Sequence, residues 1–282
     1  MKRILGFCTA FFLVCGIGYS GKILDLYPER PDALICWTES RFDPRPLHIC
    51  FLKISLNAEE LEVIALAGKD PDGPGPAESQ LTQPAELFRR YNTLAAVNAN
   101  AFAALNTDKS AYPRWYEGQP VDIHGLVVSR GKTISPVENE RTPFWIDAGR
   151  KPRIGSPAEG NSVAEAVSDW FSPLLIKSRI IPDTSDAALH PRTALGFDDS
   201  GTWLLLVVVD GRQAGFSEGV TLYELASILQ SEGCTQSINL DGGGSSIMLI
   251  RKSGEEVSTL NSPSGKAHRP VPVMLGVRKS AK

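Results

Sequence analysis

An α+β fold, one domain with a mixed β-sheet core flanked by a few helices, is what this sequence predicts. Three observations lead there. Residues 203–209 (Trp-Leu-Leu-Leu-Val-Val-Val) form a near-continuous apolar run of strand length, the pattern of a strand covered on both faces. Leu222, Leu225, Ala226 and Leu229 instead recur at helical spacing, behind Thr221 and Glu224 at capping-box spacing. No internal repeat is evident, and apolar strand-like runs mixed with few helices argue against an α/β barrel.

In chain order, residues 47–56 read as a strand by their apolar and β-branched content, and 61–67 as its successor across an acidic turn. Asp70-Pro71-Asp72-Gly73-Pro74-Gly75-Pro76 is too rich in proline and glycine to be regular and is a surface loop. Thr82 is expected to cap a helix through Tyr91, with Pro84 in its first turn and Leu87, Phe88 and Tyr91 on the buried stripe. A short strand over 94–97 ends at Asn98-Ala99-Asn100-Ala101-Phe102. Within 106–155, Trp115, Tyr116 and Trp145 are scattered among turn residues, and 126–129 and 144–146 read as short strands. Residues 163–170 read as helical and 173–177 as extended. The apolar run 203–209 stops at the Asp210-Gly211-Arg212 turn, and the helix capped by Thr221 ends at Gly233. A strand over 237–240 then enters Asp241-Gly242-Gly243-Gly244-Ser245-Ser246, and 247–250 leaves as another strand.

The chain has 282 residues, 42% hydrophobic and 22% charged, an ordinary globular balance. Its formal charge is −3, and loss of Lys2 and Arg3 with an export signal would make it −5. No clustered basic run exists, so a nucleic-acid partner is not expected. Lys2-Arg3, the apolar stretch 4–17 and Gly18-Tyr19-Ser20 have the layout of a secretory signal, with cleavage expected after Ser20. The apolar stretch is shorter than the ~20 residues that span a bilayer. The protein is therefore expected to be secreted, periplasmic or in the cell envelope, touching membrane only through this signal or anchor. The expected organisation is a signal at 1–20, an extension at 21–46 and a catalytic domain at 47–279. Outside the signal stand Cys36, Cys50 and Cys234. Cys36 and Cys50 flank a turn-rich stretch and could close a small loop, while Cys234 reads as a buried small hydrophobe. No zinc-ligand spacing is present.

Four segments carry candidate chemistry. In Asn239-Leu240-Asp241-Gly242-Gly243-Gly244-Ser245-Ser246, Asn239 and Asp241 alternate with Leu240 and so share one face of a strand. The three glycines let backbone N–H groups approach a bound anion with no Cβ in the way. His190-Pro191-Arg192-Thr193 places an imidazole and a guanidinium at a strand entrance, and Arg192 is the residue type that grips phosphate bidentately. Asp210 ends a buried strand. Asn98 and Asn100 could bind sugar hydroxyls, donating and accepting through one group, and Glu218 is a further carboxylate near a helix start.

In this order, Asn98-x-Asn100-x-Phe102, His190-Pro191-Arg192-Thr193-Ala194, Asp210-Gly211-Arg212, the helix entry over 217–226 and Asn239–Ser246 resemble the phosphodiester glycosidase family, over about residues 47–277. The resemblance implies a hydrolase that cuts the bond between an anomeric carbon and a phosphodiester, with a site collecting Asn98, Arg192, Asp210, Asn239 and Asp241 and the glycine turn near the phosphate. Where the family often carries a Gly-rich Asn-Gly-Gly-Phe-Phe type run, this chain has Asn98-Ala99-Asn100-Ala101-Phe102, and side chains there are expected to narrow the pocket.

Such a substrate has a leaving group that is already a weak base, so a strong general acid is dispensable. The transition state needs an anion site for the phosphate, which suits Arg192 with Gly242, Gly243 and Gly244. It also needs a carboxylate at the anomeric carbon, Asp241 or Asp210, and hydroxyl contacts, which suit Asn98, Asn100 and Asn239. His190, Glu218, Ser245 and Ser246 complete the expected lining. Three rivals stand beside this reading. A metal-assisted phosphodiesterase would hold a divalent cation on Asp210, Asp241 and Asn239. A serine hydrolase would use Ser245 or Ser246 with His190, against the absence of Gly-x-Ser-x-Gly. A non-catalytic carbohydrate-binding or envelope-assembly protein would keep the fold alone.

Overall fold

The computed structural model describes residues 19–105, 115–252, 256–265 and 267–280. The expected signal, with Cys8 and Cys15, lies outside the described residues apart from Tyr19 and Ser20. The α+β expectation is overturned. Of the described residues 43% are in strands and 8% in helices, and the strands form four antiparallel sheets. Leu34–Arg41, Leu47–Ser55, Trp203–Val209, Arg192–Phe197 and Gln236–Asn239 are consecutive neighbours in a nine-stranded sheet. Leu34–Arg41 precedes the expected domain start and is nonetheless a full member of that sheet. Thr93–Asn98 and Val273–Lys279 are central in a five-stranded sheet edged by Val257–Thr259 and Leu61–Ala67.

These two sheets pack face to face. Leu204, Leu206 and Val208 alternate inward to meet Leu52, Leu195, Ile238, Val97, Met248 and Leu275 in one core. Leu205, Val207 and Val209 point the other way, onto Leu225, Ala226 and Leu229 of the helix Leu222–Ser231. That two-sided cover is why the run has no polar alternation, and each such side chain contributes about 1.5–3 kcal/mol when fully buried. The helix Pro84–Arg90 covers the outer face of the five-stranded sheet with Leu87 and Phe88. Layers therefore run helix, sheet, sheet, helix, a β-sandwich with one helix on each outer face.

The helix after Thr221 forms as expected. Thr221 Oγ1 accepts the Glu224 N–H at 3.1 Å, and Glu224 Oε2 accepts the Thr221 N–H at 2.9 Å. The earlier helix is shorter than the sequence suggests, because Thr82 bridges to Val271 and Gln83 takes the cap position without a side-chain bond. Residues 163–170 are not helical. Val163–Ser168 is a strand between Pro143–Asp147 and Val127–Ser129 in a second five-stranded sheet, and pairing on both sides overrides the helix preference of its Ala and Glu. Cys36 faces Leu52 and Cys50 faces Thr38 across the Leu34–Arg41 and Leu47–Ser55 pair, so the two thiols are out of register and free. Cys234 is buried and free, and desolvation pushes its thiol up to about 12.

Glu165 joins the second five-stranded sheet to the sandwich. Its buried carboxylate accepts the N–H of Ala65 at 2.8 Å and of Arg130 at 2.8 Å, while desolvation raises its pKa to about 7. Replacing Glu165→Ala leaves both donors without an acceptor and is expected to destabilise the fold by about 3 kcal/mol, read as a lowered denaturant midpoint.

Candidate active site

Antiparallel pairing aligns the functional segments at one end of the sandwich. Arg192 begins its strand opposite Val209, the residue before Asp210, and Ala194 pairs with Asn239. Asn98 ends the neighbouring strand of the five-stranded sheet opposite Met274. The glycine run crosses this end as a short 3-10 turn, Gly243–Ser245. Gly243 has a left-handed φ of 60° and donates its N–H to Pro191 O at 2.8 Å. Ser245 N–H and Ser246 N–H return to Gly242 O and Gly243 O at 3.2 and 3.3 Å. The N–H groups of Gly243, Ser245 and Ser246 are thus already engaged by main-chain carbonyls.

Gly243 and Gly244 also make room for arginines. A Cβ on Gly242 would meet Pro191 O at 2.8 Å and Arg192 Cδ at 3.8 Å, and one on Gly243 would lie 3.2 Å from Arg212 Nη2. One on Gly244 would collide with the Arg269 guanidinium. The guanidinium groups of Arg212 and Arg269 therefore close on one turn, and the Arg192 side chain passes beside it. Arg192 is buried, with Nε donating to Val220 O at 3.3 Å and Nη2 to Ala188 O at 3.4 Å. Arg212 Nη2 donates to His190 Nδ1 at 3.1 Å, and Arg269 Nη1 to Ser245 Oγ at 3.4 Å. Among the described residues none of the three forms a close ion pair with a carboxylate. Burial pulls the pKa of both Arg192 and Arg269 down, against the opposing charge of Asp186 on the first and of Asp241 on the second, and the charge of Arg212 adds to the lowering. His190 is pulled down by burial, then by Arg192 and Arg212, which agrees with a neutral ring accepting from Arg212.

Asp241 faces this positive region. Its pKa is raised to about 6 by burial, against the opposing pull of a Ser245 hydrogen bond, the Arg269 charge, the Gly242 N–H and His124. Its backbone is fixed twice: the N–H donates to Ala99 O at 2.8 Å, and the carbonyl accepts Asn98 Nδ2 at 2.6 Å.

The amides expected at the sugar hydroxyls hold the chain together. Asn98 Oδ1 accepts Thr193 Oγ1 at 2.7 Å and the Ile247 N–H at 3.1 Å, so this one side chain ties both sheets to the turn. Asn100 Nδ2 donates to His124 O at 2.9 Å and Oδ1 accepts the Ser168 N–H at 3.2 Å. Asn239 Nδ2 donates to Trp170 O at 2.7 Å, while its buried Oδ1 has no hydrogen-bond partner among the described residues, nor does Ser246 Oγ. Asp210 is buried and its carboxylate accepts from His48 Nδ1 at 2.8 Å, Asn261 Nδ2 at 2.8 Å and Ser262 N at 2.9 Å. It is a clamp on two loops. His48, Cys50 and Asp210 bring one ligand atom each within 4.8 Å of one another, a group of the kind that holds a metal ion, and burial raises the Cys50 thiol well above its ordinary pKa. Glu218 contributes main-chain bonds, its N–H to Pro46 O at 3.0 Å and its carbonyl to Arg212 N at 3.3 Å.

A family model for phosphodiester glycosidases matches residues 91–278, which include Asn98, the three arginines, Asp210 and the glycine turn. The chain belongs to the phosphodiester glycosidase family. Its fold is that of the catalytic domain of zebrafish N-acetylglucosamine-1-phosphodiester alpha-N-acetylglucosaminidase, auto-inhibited by its pro-peptide. The TM-score is 0.61 at 22% identity, over 94% of this chain and 84% of that one. A Synechocystis protein of known structure has a TM-score of 0.55 at 14% identity, over 87% of this chain and 62% of that one. A SPbeta prophage-derived protein of Bacillus subtilis (strain 168) is 49% identical over 57 residues, which are 20% of this chain and 8% of that protein's length. Among the described residues no helix is long and apolar enough to cross a membrane.

Arg269, His48 and Asn261 lie in segments without a local sequence signal, and Arg212 belongs to the Asp210-Gly211-Arg212 motif, whose pattern alone assigns it no role. If the glycines serve to admit the guanidinium groups, Gly244→Ala should displace Arg269 and weaken binding of inorganic phosphate about tenfold by calorimetry, a loss of about 1.4 kcal/mol, with the thermal unfolding midpoint nearly unchanged.

Proposed function

We propose that this family member hydrolyses the glycosidic bond of a sugar-1-phosphodiester. One observation carries the reading: the guanidinium groups of Arg212 and Arg269 stand against a glycine turn with the Arg192 side chain beside it, none of the three in a close ion pair among the described residues, and the Asp241 carboxylate lies within their field. A phosphodiester bears one negative charge. When water adds to the anomeric carbon and the C–O bond to the phosphate oxygen breaks, the electron pair leaves with that oxygen. A phosphomonoester then forms with up to two charges, and the water proton is released through the base. Charge on the phosphoryl oxygens thus grows along the reaction, and three fixed cations stabilise the late state more than the early one. That differential is the catalytic contribution of the cluster.

Asp241 is the carboxylate at the sugar side, either activating the water or steadying positive charge at the anomeric carbon. Asn98, Ala99 O and the Gly242 N–H hold it in place. The zebrafish enzyme is named for an N-acetylglucosamine-1-phosphodiester, and that sugar is the first to test. The signal-like first twenty residues support action outside the cytoplasm or in the cell envelope.

Hydrolysis in isotopically labelled water is expected to place the label in the released sugar. Label in the phosphate would mean attack at phosphorus, the outcome required by a phosphodiesterase, and would defeat this reading. If ionised Asp241 is the working form, the rate should fall as pH drops through about 6. Asp241→Asn should lower kcat about a hundredfold or more and abolish that acidic limb.

A further inference from the structure

Phe171 combines two properties that seldom occur together. It is 55% exposed, and its backbone has a left-handed φ of 87°, a region costly for a bulky side chain. Isolated exposed apolar residues are ordinary. One held in a strained conformation by a rigid neighbour is not.

The neighbour is Trp170. Its N–H donates to Asn239 O at 2.8 Å and its carbonyl accepts Asn239 Nδ2 at 2.7 Å, so it is bonded to the strand residue two before Asp241. Its ring stacks on His124 at 5.2 Å with a 20° tilt, and the Arg141 guanidinium lies 4.2 Å over it. His124 in turn contributes to the field at the Asp241 carboxylate. Phe171 packs its ring on Trp170 at 5.2 Å and 50°, and Pro173 then pairs with Ile238. The segment is fastened before and after Phe171, leaving that ring standing in solvent beside the strand that delivers Asp241. Arg212 and Arg269 contact the other end of the glycine turn, at Gly243 and Gly244.

We infer that Phe171 is the apolar wall on which the sugar ring of the substrate lies, and that it sets specificity for pyranoses with an unbroken C–H face. The inference rests on the glycosidase reading for the identity of its ligand. An equatorially substituted pyranose presents axial C–H groups on each face, which pack on an aromatic ring with no polar atom to desolvate. An axial hydroxyl on that face would lose water without gaining a partner. The phosphate would meanwhile lie toward the arginines, which places the scissile bond at Asp241.

Phe171→Ala and Phe171→Tyr in the full chain test this against an N-acetylglucosamine-1-phosphodiester, with inhibition by inorganic phosphate as the parallel measurement. Phe171→Ala is expected to raise KM about tenfold with kcat little changed, the signature of lost ground-state binding. Phe171→Tyr should restore KM, and the phosphate inhibition constant should not move. An unchanged KM in Phe171→Ala, or a phosphate constant that rises in parallel, overturns the proposal. Should the parent protein turn over no sugar-1-phosphodiester, calorimetry with free N-acetylglucosamine separates the two readings. Sugar binding weakened by Phe171→Ala would support the wall while the glycosidase reading falls, and sugar binding absent or unaffected by the change would sink the wall as well.

Discussion

Like charges at short range must be held together by something else, and the crowding of Arg192, Arg212 and Arg269 is the constraint around which this end of the molecule is arranged. Main-chain carbonyls at Val220 and Ala188 fix the buried Arg192, the neutral ring of His190 accepts from Arg212, and Ser245 receives Arg269. Each of these partners orients a guanidinium without cancelling its charge. Asp241 lies in the resulting field, and burial still outweighs it, raising the pKa of the carboxylate to about 6. The site thus keeps its positive charge available while remaining firmly placed.

The sandwich makes that placement inexpensive in conformational terms. Antiparallel strands bring one strand's beginning beside its neighbour's end, so Arg192, Asp210 and Asn239 arrive together although up to 47 residues of chain separate them. Asp210 shows how far the scaffold goes in support: its carboxylate receives His48, Asn261 and the Ser262 N–H and so anchors loops around the cluster.

Much of this was legible in the sequence because it followed from local chemistry. The run 203–209, the Thr221–Glu224 cap and the glycine turn each have a pattern that one stretch of chain determines by itself. Elements decided by partners were not legible. Val163–Ser168 carries helix-favouring residues and is a strand only because it is paired on both sides. The fold class failed for the same reason, since many short strands between residues 120 and 180 have too few residues each to show a period. At the site, the segments were identified but the division of labour within them was not. Asn98 and Asn100 have the right chemistry for a sugar and use it on Asp241, Thr193, Ile247, His124 and Ser168. Arg269 joins from a loop whose sequence gives no sign of its destination.

Asn98 also has a mechanical consequence. Its amide spans Thr193 of the nine-stranded sheet, Ile247 ahead of a strand of the five-stranded sheet, and the carbonyl of Asp241. The backbone of Asp241 is thereby tied to both layers, and sliding of one layer on the other would be felt at the residue that carries the carboxylate. Chemistry and architecture share a single rivet, and the stability of the interface between the layers is part of what keeps the acidic residue in position.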